Sequence, residues 1–211
     1  MKRVLLAVLF SVFLPVAMYA HDVDFSNCGG TLSSELVGSN TVLSLSNSEL
    51  IAVDGLNGMG METGKLGSIS FTTGALISGN LQAGAIFGSG GSFVIKGDGK
   101  DGTPKGIIFN GSFSGDVTWK LLTLANGTHE YLLWGNVSGT WYNGQTVFGA
   151  TVQLTINTGT GYFNGTAGLG HAGGWTDISA NSVPEPGTLA LLGLGTGMMG
   201  LGGALRRKRK A

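Results

Sequence analysis

Eight Asn-Gly or Asp-Gly dipeptides punctuate the middle of the chain, at Asn57, Asn110, Asn126, Asn143 and Asn164 and at Asp54, Asp98 and Asp101. These pairs supply the positive φ that tight hairpin turns require. Chain that turns so often has no room for long helices, and the residues between the turns agree. Thr151-Val152-Gln153-Leu154-Thr155-Ile156-Asn157 alternates without a break, placing Val152, Leu154 and Ile156 on one face. Shorter runs of this kind lie at 43–45, 68–71, 92–96, 107–109, 117–124, 131–134 and 140–142. Residues 121–133 read as strand, turn at Asn126-Gly127, strand. Nowhere does an extended apolar stripe recur with the helical period.

Short strands with turns about every ten residues predict an all-β fold, an antiparallel sandwich or barrel-like domain, with a β-solenoid as the weaker alternative. A solenoid needs a fixed repeat. The sequence offers only one echo, Phe109-Asn110-Gly111-Ser112 against Phe163-Asn164-Gly165-Thr166. Although 39 of 211 residues are Gly, there is no Gly-X-Y period and only four Pro, which excludes collagen.

Charge is scarce and unevenly placed. Residues 21–182 hold five lysines, no arginine and eleven acids, a net charge of −6. A nucleic-acid partner is not expected, since phosphate binding needs a clustered basic face. All seven remaining basic residues stand at the two ends. Lys2 and Arg3 precede an apolar run over residues 4–16 and then Ala17-Met18-Tyr19-Ala20, the pattern of a secretory signal peptide cleaved after Ala20. Residues 187–205 carry no charge and are long enough for a transmembrane helix. The cluster Arg206, Arg207, Lys208, Arg209 and Lys210 would hold residues 206–211 as a cytoplasmic basic tail and place the intervening domain outside. With seven Gly among nineteen residues, that segment suits a transient anchor better than a permanent one.

Before it stands Val183-Pro184-Glu185-Pro186-Gly187, a stiff, extended peptide. Pro184, Glu185 and Pro186 followed by a Gly-rich apolar segment and a terminal basic cluster resemble the PEP-CTERM sorting signal of bacterial exosortase substrates. The resemblance covers residues 183 to about 210. It implies that the inner membrane holds the protein until an exosortase, a membrane-embedded cysteine protease, cuts near residues 183–186. It further implies delivery to the cell surface or an extracellular matrix, with exopolysaccharide as the expected neighbour. The expected organisation is signal peptide 1–20, exported Gly-rich domain 21–182, motif 183–186, transmembrane helix 187–205 and tail 206–211.

The domain shows little that points to catalysis. His21, His129 and His171 have no ligand spacing, and a G-x-S-x-G nucleophile elbow is absent. Asp116, Glu130 and Asp177 are available to a glycosidase, but their spacing is that of ordinary turn and strand-face acids. Gly97-Asp98-Gly99-Lys100-Asp101-Gly102 lacks the alternate ligands of a helix-loop-helix calcium loop and reads as a turn. Cys28 is the only cysteine, so no internal disulfide is available. Neither a cofactor nor a metal is expected. Trp119, Trp134, Trp141, Trp175, Tyr131, Tyr142 and Tyr162 are either core or sugar-stacking residues, with core favoured by their burial energy. Asn110, Asn126, Asn136 and Asn164 begin Asn-x-Ser/Thr triplets. The expectation is a non-enzymatic, exported surface or biofilm-matrix component, structural or adhesive. The alternative is a carbohydrate-binding or carbohydrate-processing domain.

Overall fold

The computed structural model describes residues 23–168 and the strand Thr176–Ser179. Ala20, the motif at Pro184, Glu185 and Pro186, the apolar segment 187–205 and the terminal basic cluster lie outside the described residues, as do His21, His171 and Trp175. Among the described residues no helix is long and apolar enough to cross a membrane.

The described residues form thirteen strands and one short 3-10 turn, Leu56–Gly58. The first four strands are β1 (Asp24–Cys28), β2 (Thr31–Val37), β3 (Asn40–Asp54) and β4 (Glu62–Thr72). Next come β5 (Leu76–Asn80), β6 (Gly84–Phe87), β7 (Gly90–Asp98), β8 (Lys105–Phe113) and β9 (Val117–Thr123). The last four are β10 (His129–Trp141), β11 (Thr146–Gly159), β12 (Thr166–Gly168) and β13 (Thr176–Ser179). All pair antiparallel, in the order β12-β2-β3-β4-β7-β8-β10-β9-β6-β5, with β1 on β3, β11 on β10 and β13 on β11. No ladder closes the sheet into a barrel among the described residues.

The two longest ladders explain how one sheet makes a core. Along one edge of β3, residues 40–46 pair with β2 and residues 49–54 with β1, while β4 runs along the other edge. Along one edge of β10, residues 129–134 pair with β9 and residues 137–141 with β8, while β11 runs along the other. Five ladder steps separate β1 from β10, about 24 Å in a flat sheet. The rings of Phe25 on β1 and Trp141 on β10 are nevertheless 5.7 Å apart. The sheet therefore curls over its own buried face, where Phe71, Phe93, Phe109 and Phe113 pack ring against ring.

Two turns follow the sequence closely. Gly127 N donates to Leu124 O and Gly144 N to Trp141 O, both glycines having φ near 80°. Asn126 Oδ1 accepts from Thr128 N and Asn143 Oδ1 from Gln145 N, so the same construction joins β9 to β10 and β10 to β11. Asn110-Gly111 departs from expectation, because it lies inside β8. The reason is steric: a Cβ on Gly111 would meet Ser138 O at 2.4 Å, and one on its ladder partner Gly139 would meet Asn110 O at 2.3 Å. These glycines serve close strand contact over the Phe109 ring. The echo between residues 109–112 and 163–166 is accordingly no repeat, since one copy is strand and the other leads into β12. The runs at 131–134 and 140–142 also differ from expectation, both belonging to the single bent strand β10 apart from Tyr142, which follows it.

Candidate functional site

Alternation sends every second side chain of this curled sheet outward, and the register aligns those side chains into rows. Ser33, Ser44, Thr72 and Ser92 are successive ladder partners across β2, β3, β4 and β7. Ser70, Val94, Asn110, Thr140 and Thr146 form a second row across β4, β7, β8, β10 and β11. Ser78, Ile86, Thr118, Trp134 and Gln153 form a third across β5, β6, β9, β10 and β11. None of the three rows contains a charged residue. Neighbouring strands stand about 4.8 Å apart, so the first row presents four closely spaced hydroxyl groups, while Val94 interrupts the second and Ile86 and Trp134 the third.

Trp134 is the exception in chemistry. On β10, Tyr131, Leu133 and Val137 point into the core, which leaves Leu132, Trp134 and Asn136 on the outer face. Trp134 is 53% exposed, whereas Trp119 is 1% exposed and stacks on Tyr131 at 4.7 Å. Asn136 pairs with Thr151, and both are exposed. Farther along, a bulge sets Phe148 and Gly149 against Ser138, where Gly149 N donates to Ser138 Oγ. Phe148 is 59% exposed. A strip with an aromatic at each end and Asn136, Thr151 and Gln153 beside or between them thus runs along β10 and β11. The side chains of Asn136, Thr151 and Gln153 make no hydrogen bond among the described residues.

The seven aromatics singled out in the sequence therefore divide. Trp119 and Tyr131 are core, and Trp141 is half-buried against Phe25 and Phe109. Tyr142 is exposed at the β10–β11 hairpin and donates its hydroxyl to Asn57 Oδ1. Tyr162 is exposed and stacks on the imidazole of His129, which is buried and hydrogen-bonded to Thr123 Oγ1. Phe148 escaped the sequence reading because the bulge that turns it outward is set by register with β10, although the neighbouring Gly149 at φ 70° is its local signature.

The carboxylates are not brought together. Asp116 precedes β9, while Glu130 lies opposite Leu122 near the strand's other end, about 20 Å away along the chain direction. A glycosidase pair needs a separation of roughly 5 to 10 Å. Asp177 falls in β13, opposite Gln153. A shallow hollow lined by Val53, Leu56, Met59, Glu62, Asp101 and Thr103 has room for no more than a water molecule. Of the segment 97–102, read as a turn, Gly97 and Asp98 are the end of β7 and residues 99–102 make the turn, with Thr103 N donating to Lys100 O at 2.8 Å. Among the described residues no three His, Cys, Asp or Glu side chains gather around one point. Cys28 is buried. Asn110, Asn126, Asn136 and Asn164 are all exposed.

Outside this domain, residues 182–210 match the family model of the PEP-CTERM protein-sorting motif. The chain carries a PEP-CTERM sorting signal. That signal implies export, processing by an exosortase and sorting to the cell surface. No curated protein and no solved structure matches the chain.

Proposed function

We propose that this PEP-CTERM protein is a non-enzymatic component of the cell surface and extracellular matrix. Its domain adheres to matrix polymers, the cell's own exopolysaccharide first among them, through the uncharged rows of its outer face. The observation that carries this reading is the row Ser33, Ser44, Thr72, Ser92, four hydroxyl groups aligned on adjacent strands, of which Ser33 donates to Glu35 Oε1. Such a face exchanges hydrogen bonds with polyhydroxylated polymers and owes nothing to ionic attraction, so salt does not dissolve the contact. The membrane segment is a temporary holder that keeps the protein in the inner membrane until the exosortase cuts near Pro184, Glu185 and Pro186.

The test is fractionation of the native host with intact-mass analysis of each fraction. The expected species sits in the surface and matrix fractions, ends near residues 184–186, and resists washing with concentrated salt. Deleting the gene should weaken matrix cohesion, and the intact chain should restore it. Recovery only from the inner membrane, with Arg206 to Ala211 still attached, would refute the reading.

A further inference from the structure

Resting on that reading, and going beyond it, we infer that the strip from Trp134 to Phe148 binds an uncharged polysaccharide chain laid along β10 and β11. Three features identify the occupant. The first is an exposed aromatic surface: pyranose rings present an apolar C–H face, and an indole that leaves water to stack on it gains as aromatic platforms do with other flat ring ligands. Trp134 offers such a surface in the middle of a sheet, flanked by Thr118 and Gln153 on the adjoining strands. The second is spacing. Ser138, which faces the Phe148 bulge, lies four residues beyond Trp134 along β10, about 13 Å. The strip is thus long enough for several linked rings, with Asn136 and Thr151 between the two aromatics to meet ring hydroxyls. Among the described residues neither side chain makes a hydrogen bond.

The third feature is charge. By ladder position the charged residues nearest Trp134 are Lys120, opposite Leu132, and Asp177, opposite Gln153, with Glu130 four residues away along β10, so acids outnumber the one lysine there. The domain around them is net negative, with five lysines against eleven acids in residues 21–182. An anionic polymer would be repelled by that field, and a membrane surface would find no basic patch. An uncharged glycan meets neither obstacle.

Native affinity electrophoresis of the processed protein released from the host's surface tests the assignment. Gels contain dextran, hydroxyethylcellulose, laminarin or galactomannan as uncharged probes, and alginate or polygalacturonate as anionic ones. At least one uncharged probe should retard the wild-type protein and neither anionic probe should. Trp134→Ala should weaken retardation by about tenfold or more, the scale of one lost stacking contact. Phe148→Ala should weaken it severalfold, and Trp134→Tyr should restore most of it. Because Trp134 is exposed, equal urea midpoints for the variants and the wild type will show that folding is intact. The inference is overturned if no uncharged probe retards the protein, if only the anionic ones do, or if Trp134→Ala migrates as wild type. It is also overturned if Trp134→Ala changes the sedimentation coefficient, which would make the strip a contact between copies of the chain. A protein that fractionates with the matrix but fails in the gels loses only this assignment, whereas absence from the surface refutes the broader reading.

Discussion

Tyr131→Phe removes a single oxygen from the middle of the core. The Tyr131 hydroxyl donates to Gln82 O at 2.7 Å and accepts from Phe163 N at 3.1 Å, so it joins the β5–β6 turn to the segment that leads into β12. Phe163 is buried, and its N–H would be left without a partner at a cost of about 1 to 3 kcal/mol. Gln82 is exposed, so water replaces the hydroxyl at its carbonyl and only the net worth of one hydrogen bond, about 1 kcal/mol, is lost there. The ring itself stays, stacked on Trp119 at 4.7 Å, and no large cavity opens. The expected total is about 2 to 4 kcal/mol. At about 2 to 4 °C per kcal/mol for a domain of this size, Tm should fall by roughly 4 to 16 °C. Urea unfolding followed by tryptophan fluorescence should show a lower midpoint with an unchanged slope. Tyr142→Phe is the control: its hydroxyl bonds Asn57 at the exposed end of the sheet, so its loss should cost under about 0.5 kcal/mol. A Tyr131→Phe protein as stable as the Tyr142→Phe protein would refute the reasoning.

Gly139→Ala should destabilise by about 1 to 3 kcal/mol in the same unfolding assay, because the new methyl meets backbone atoms of residues 110 and 111 that rotamers cannot move. Gly115→Ala, where a Cβ meets nothing, should be neutral or slightly stabilising, and equal costs at the two sites would contradict the packing described. The Cys28 thiol should resist a water-soluble disulfide reagent in the native protein and react promptly in urea, since it is buried; rapid native labelling would place it elsewhere. Replacing Pro184 and Pro186 by alanine should leave uncut protein in the inner membrane, read by the mass of its C-terminal peptide, and normal release would separate sorting from the motif.

Local chemistry was legible wherever it decided the structure alone. Asn126-Gly127 and Asn143-Gly144 turn as their side chains and glycines dictate, and the alternation of residues 151–157 lies within β11. Reading failed where a distant strand decides. Asn110-Gly111 has the composition of a turn, yet pairing with Ser138 and Gly139 keeps it extended. The strands β1 and β2 went unseen because Asp24–Cys28 and Thr31–Val37 hold too few apolar residues to show a period, and they are strands because β3 offers them an edge. The sorting of Trp119 inward and Trp134 outward likewise depends on ladder partners: residues 131–134, Tyr-Leu-Leu-Trp, carry no polar mark to tell one face from the other. Burial energy favoured the core for all of them, and the register sets one tryptophan apart.

The pairing of β12 with β2 has a consequence in time. Leu32 waits for Ala167, 135 residues later, and the hydroxyl of Tyr131 waits for the N–H of Phe163. Pairings so distant in sequence form late and make folding slow. A chain that crosses a membrane beginning with its N-terminus therefore keeps that edge unpaired throughout the passage, and remains a thread that a narrow channel can accept. The sheet locks only as its last strands emerge, with the sorting motif following sixteen residues behind Gly168. In the order of the chain, completion of the sheet and emergence of the motif therefore fall close together.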